Sequence, residues 1–173
     1  MLDILHNNDW DRPIYFTGGS YDDSEYFWMK DYLQLDGLVY KLVPIKTPID
    51  PNNPYQSMGR IDANRMYDIV MKWDWGNSDS PDIYHDPETR KNSISFRSNI
   101  TRLANALIEN EQAEKAISVL DLAMEKMPIE TFGYYSLVTP IASAYYRAGP
   151  NGIRNPRGDC SERGARDQGG QPG

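Results

Sequence analysis

From Ile100 to Met127 the chain carries two apolar stripes at helical spacing with one break between them, and no other stretch limits its folding so strongly. Ile100, Leu103, Ala104, Leu107 and Ile108 make the first stripe, and Ala113, Ala116, Ile117, Leu120, Ala123, Met124 and Met127 the second. With a turn near Asn110, two such helices cover their stripes by folding back on each other as an antiparallel hairpin. Upstream, Met66, Ile69, Val70 and Trp73 fall at i, i+3, i+4 and i+7 behind Asp62, a good N-cap. This predicts another amphipathic helix, ending near Trp75 and Gly76. The following GNSDSPDIYHDPET has the Gly, Asn, Ser, Asp and Pro density of an interhelical loop.

The first 60 residues read differently. RPIYFTGG at 12–19 opens on a proline, runs through Ile14, Tyr15 and Phe16 and stops at two glycines, which predicts a short buried strand. Asp22 and Glu25 stand ahead of Phe27, Trp28, Tyr32 and Leu35 at roughly helical spacing, which predicts a helix over 23–35. LVYKLVPI at 38–45 reads as a second strand, closed by Pro44 and the TPIDPNNP loop. Strand, helix, strand is a βαβ-type unit, and two strands are marginal alone, so this piece is expected to complete a sheet with something outside the chain. The fold class is therefore α+β: a small βαβ-type piece over 1–60, helices over 61–149, and a tail over 150–173.

The spacing of the 97–128 hairpin resembles the 34-residue tetratricopeptide repeat. With Arg97 as first position, small Ala104, Ala116 and Ala123 take the close-contact sites, and Leu103, Leu107 and Leu120 the packing sites. Pro128 closes the unit. YYSLVTPIASAYYRAG at 134–149 looks like a second copy, with Ile141, Ala142, Tyr145 and Gly149 repeating the first-helix pattern, while Pro140 implies a kink or a helix restart. Its second helix is missing, because 150–173 holds six glycines and three prolines and lacks an apolar stripe. That tail reads either as a flexible extension or as a frameshifted end.

Composition narrows the function classes. A net charge of −7 without a basic stripe disfavours nucleic acid, whose phosphates demand cations. The longest apolar run falls well short of the roughly 20 residues that span a bilayer, and MLDILHNNDW lacks the pattern of a signal peptide, so the chain as written reads as soluble. The lone Cys160 gives neither an internal disulfide nor a multi-cysteine zinc site. Neither a metal nor a cofactor is expected.

Chemistry could reside in WDWGNSDSPD. Trp73 and Trp75 with Asp74 and Asp79 could form a carbohydrate platform, although turn capping and packing account for the same residues as a structural corner. An EF-hand-type calcium loop starting at Asp74 is excluded by Gly76 and Ser78 at its third and fifth positions. His85, between Asp82 and Asp86, reads as a hydrogen-bonding loop residue, and Asp22, Asp23 and Glu25 as helix-capping acids. TGGS at 17–20 lacks the Lys-Ser/Thr ending of a phosphate loop. Catalytic residues are not assigned.

The runs WDRPIYFTGGSYDDSEYFWMKDYLQLDGLVYKLVPIKTP, MYDIVMKWDWGN and SPDIYHDPETRKNSISFRSN resemble the C-terminal soluble region of a family of bacterial multi-spanning membrane proteins of unknown function. The membrane half of that family is similar to the lipid-dependent, GT-C-type protein O-mannosyltransferases. The resemblance spans residues 1 to about 149. It implies a non-catalytic binding or scaffolding domain, with catalysis by an acid between early membrane spans outside this chain. It further implies a parent protein in the bacterial inner membrane with this region extracytoplasmic, and Met1 as an internal methionine of a fragment. The implied partners are the chain's own N-terminal membrane domain and acceptor or envelope proteins. Two rivals stand beside it: a free-standing tetratricopeptide-type interaction module, and a carbohydrate-binding domain.

Overall fold

A computed structural model describes residues 2–17, 27–47 and 58–149. The chain is α+β, a three-stranded antiparallel sheet followed by packed helices. Helix α1 (Leu2–Asn8) precedes strand β1 (Tyr15–Thr17). A six-residue 3-10 helix, Phe27–Tyr32, then runs directly into β2 (Leu33–Asp36), which turns through Gly37 and Leu38 into β3 (Val39–Leu42). The order is β1-β3-β2, with both neighbours antiparallel.

Two expectations are corrected here. The helix over 23–35 is, in its described part, a 3-10 turn and a strand, and the βαβ-type piece is an antiparallel sheet. The physical reason lies in Leu33-Gln34-Leu35-Asp36, whose alternation has period two. Register pairs Leu33 with Leu42 and Leu35 with Tyr40, and Phe16 joins Tyr40 from β1, so one face is apolar throughout. Gln34 and Asp36 point the other way and satisfy each other, Gln34 Nε2 donating to Asp36 Oδ1 at 2.8 Å. Arg65 Nε donates to Asp36 Oδ2 at 3.1 Å. The chain thus supplies its own third strand, from the segment read as helical. β1 is an edge strand rather than a buried one, with Tyr15 46% exposed and Phe16 alone turned toward the core.

Helix α2 (Ala63–Val70) is capped by Asp62, whose side chain accepts the Arg65 N–H. It stops at Val70, short of the expected Trp75. Helix α3 (Pro87–Glu109) begins well before the Ile100 stripe, because Asp86 accepts the N–H groups of Glu88 and Thr89 and Pro87 sits where a missing N–H costs nothing. Helix α4 (Ala113–Lys126) packs back along α3 after the turn at Asn110 and Glu111, as the two stripes require. A short α5 (Ile129–Phe132), a 3-10 turn (Tyr135–Leu137) and α6 (Val138–Ala148) follow. Pro140 lies in the first turn of α6, so the helix restarts there instead of kinking. Ala142, expected on the packed face, is exposed; Ile141, Ala144 and Ala148 are buried.

The main core joins Leu35 of the sheet to Met66 and Val70 of α2, Leu103 and Leu107 of α3, Leu120 of α4 and Ile141 of α6. A smaller cluster of Met29, Leu33 and Leu42 is covered by Leu5 of α1, Ile14 and Phe16. Two side chains of α3 hold the sheet region from outside this core. Asn99 Nδ2 donates to the Gly37 carbonyl at 2.9 Å, and Arg102 Nη2 donates to the Met58 and Gly59 carbonyls at 2.9 Å each. The acids Asp22, Asp23 and Glu25, most of TGGS and of TPIDPNNP, and the 150–173 tail with Cys160 lie outside the described residues.

Candidate binding pocket

The corner between α2 and α3 encloses a cavity of about 390 Å³. That volume is within the roughly 300–1,000 Å³ of small-molecule sites. One wall is aromatic. Past Val70 the chain leaves the helix, with the Trp73 N–H still donating to the Val70 carbonyl at 3.2 Å. Trp73 and Trp75 then meet Phe96 of α3 in a three-ring cluster. Their centroids are 5.5 Å apart for the two tryptophans, 5.4 Å for Trp73 and Phe96, and 5.5 Å for Trp75 and Phe96. Such separations are direct ring contact, so the cluster is one continuous surface without a slot between rings.

The loop that carries this wall is pinned at each step. Asp74 Oδ1 accepts the Gly76 N–H at 2.9 Å, an Asx turn, and the Ser78 N–H donates to the Trp75 carbonyl at 3.0 Å. Ser78 Oγ donates to the Lys126 carbonyl at 2.7 Å, tying the loop to the end of α4. His85 Nε2 lies 3.1 Å from the Ser78 carbonyl. Since a carbonyl only accepts, this nitrogen carries the proton, and in the neutral ring Nδ1 is left as an acceptor. The imidazole rests on the Phe132 ring at 4.6 Å, and Arg90 Nε donates to the His85 carbonyl at 2.9 Å. Phe132, Met127 and Leu38 complete the apolar lining, with Asn92, Thr89 and Ser93 on the α3 side.

Of the four residues singled out from sequence, Trp73, Asp74 and Trp75 line this cavity. Asp79 is turned away, paired with Lys126 at 3.2 Å. Trp73 belongs to the wall as well as to the core margin. His85 is a hydrogen-bonding loop residue, as expected, and additionally a lining one. Phe96, Phe132 and Asn92 were missed: the first and third sit on the part of α3 between the loop ending at Thr89 and the stripe beginning at Ile100, which the sequence reading assigned to no element, and Phe132 arrives from 36 positions beyond Phe96 in the chain. The Asp86-Pro87-Glu88 triplet, an N-cap followed by proline and an acid, was the signal that would have exposed the longer helix.

Arg97, next to Phe96 on α3, is fully buried and does not line the pocket. Nη2 donates to the Met127 carbonyl at 2.7 Å and Nη1 to the Gly133 carbonyl at 2.6 Å. Burial pulls its pKa down from the ordinary arginine value. Nε has no partner among the described residues. A second buried donor without a described partner is Nε1 of Trp75, in the pocket wall itself. Among the described residues no three His, Cys, Asp or Glu side chains come together as a group able to hold a metal ion.

The cap of α3 gives the corner a pH dependence. Asp86 is held below the usual carboxylate range, first by the Thr89 hydroxyl, then by the N–H groups of Thr89 and Glu88. Because the folded value is depressed, its stabilisation is complete above the unfolded carboxylate pKa near 4 and disappears as pH falls through the lower folded value. Asp86→Ala should therefore lower the melting temperature at neutral pH and flatten its decline below about pH 4. A variant whose melting curve keeps the acid limb of the unmutated protein would assign that limb to other carboxylates.

Residues 1–65 match the family model described as TMEM260-associated domain 2, a family associated with a membrane protein. No curated protein and no solved structure matches the chain. Among the described residues no helix is long and apolar enough to cross a membrane.

Proposed function

We propose that the chain is a non-catalytic binding or scaffolding domain of a membrane glycosyltransferase similar to the protein O-mannosyltransferases. The domain would sit on the extracytoplasmic face of a bacterial inner membrane. The observation that carries this reading is the match of residues 1–65 to a domain associated with a membrane protein. The quoted sequence runs, which continue past residue 65, extend the likeness through the pocket loop. The partners are the parent's membrane domain and the proteins it glycosylates. A scaffold of this kind contributes affinity for the acceptor, while the transfer step belongs to the membrane half.

The test is to express the reading frame containing the Met1 codon together with the sequence upstream. The expected product has apolar spans and transfers mannose from a polyprenyl phosphate donor. Deleting the segment equivalent to residues 1–149 should spare transfer to a short peptide and reduce transfer to a folded acceptor by about tenfold or more, the worth of one good docking contact. Unchanged transfer to folded acceptors, or an upstream sequence without apolar spans, would overturn the proposal. The antiparallel pairing of α3 and α4 favours a second reading, a tetratricopeptide-type interaction module acting on its own.

A further inference from the structure

We infer that the pocket between the Trp73–Asp86 loop and helix α3 binds a neutral sugar ring. Its wall of Trp73, Trp75 and Phe96 is closed by direct contact at 5.4–5.5 Å, which leaves no gap to grip an ammonium group or a flat ring between two faces. A ligand must instead lie against the wall, and so needs an apolar face. It must also meet polar groups of both kinds. Trp75 lines the cavity with its ring, and its Nε1, a buried donor without a described partner, meets an acceptor only if the lining beside it gives way. Asn92, exposed on α3, has its amide free of described partners and offers both a donor and an acceptor. The Asp74 carboxylate spends one oxygen on Gly76 and retains acceptor capacity on the other.

Charge excludes the remaining classes. Of the loop's four aspartates only Asp74 lines the cavity, and neither lysine nor arginine lines it, so a phosphate or carboxylate would meet a carboxylate and no cation. A metal cation finds no set of ligands here, since among the described residues no three His, Cys, Asp or Glu side chains come together as a group able to hold one. A pyranose is the neutral molecule with an apolar C–H face and hydroxyls that donate and accept around its rim. The cavity of about 390 Å³ has room for one or two such units, but a several-residue extended peptide needs a longer groove. The inference does not rest on membrane association: either can fail while the other stands.

Titration calorimetry on the full chain with methyl glycosides of glucose, mannose and galactose, and with their disaccharides, tests it. Saturable binding of at least one is expected, with Trp75→Phe and Asn92→Leu each weakening it about tenfold, and Asp79→Ala leaving it unchanged. Asn92 is exposed, so its variant reads the site even if the tryptophan variant fails to fold. Two further probes, the preferred hexose O-linked to a serine peptide and the same hexose on a polyprenyl phosphate in detergent, distinguish a glycoprotein from a lipid-linked source by which binds tighter. Absence of saturable binding across all probes, or binding that survives both Trp75→Phe and Asn92→Leu at full strength, would overturn the inference.

Discussion

Arg97→Met should destabilise the protein by about 3–5 kcal/mol, because it strands two backbone carbonyls at once, one buried and one partly buried. The guanidinium is fully buried and bonds the carbonyls of Met127 and Gly133. Met127 is the C-cap of α4, where the last carbonyls lack helical partners and the helix dipole is negative. One cation therefore satisfies the end of α4 and the chain reversal after α5. Methionine keeps the apolar stem but removes every donor, so the measured loss isolates the polar contribution from the cavity that alanine would add. A fall in melting temperature of about 10 °C or more is expected in a domain of this size. Arg97→Lys should fall between the two, since one ammonium keeps the charge without the fork that reaches both carbonyls. A methionine variant melting within about 2 °C of the unmutated protein would show that water replaces the guanidinium without cost.

Gly37→Ala should cost about 2–4 kcal/mol and disturb the pocket as well as the sheet, combining backbone strain with overpacking. Gly37 turns β2 into β3 at φ +75°, a conformation that a side chain penalises. An added Cβ would lie 2.6 Å from Cζ2 of Trp73 and 3.4 Å from its Cε2, and a tryptophan ring cannot fold out of the way. The ring must shift as a unit against Trp75 and Phe96. The variant should therefore show altered near-ultraviolet tryptophan dichroism even where it remains folded. Unchanged dichroism with a small stability loss would mean that the turn, rather than the indole, absorbs the methyl group.

Both variants locate the limits of the sequence reading. The hairpin of α3 and α4 was legible because Leu103, Leu107 and Leu120 repeat at a period that only a helix produces, and each is fully buried. The Asp62 cap was legible for the same local reason. β2 was not, because Leu33 and Leu35 satisfy a strand and, with Trp28 and Tyr32 upstream, also suggest a helix; the partner strand decides between them. The end of α2 at Val70 was hidden by Trp73, which continues the helical stripe in sequence yet reaches the core margin from the loop beyond. At the pocket, the tryptophans and Asp74 announced themselves by chemistry. Phe96, Asn92 and Phe132 could not, since their proximity exists only once α3 is long and α5 has turned back beneath it.

The two arginine and asparagine clasps from α3 onto the sheet region separate what is inherited together from what folds together. The family match ends at Arg65, within α2, whereas Leu35 closes the core of helices beyond it and Asn99 and Arg102 hold the carbonyls of Gly37, Met58 and Gly59 from α3. Cutting the polypeptide at the boundary of the recognised segment would sever a helix in mid-course and bare Leu35. A gene that borrowed those 65 codons alone would acquire a recognisable sequence and lose the surface that shelters it.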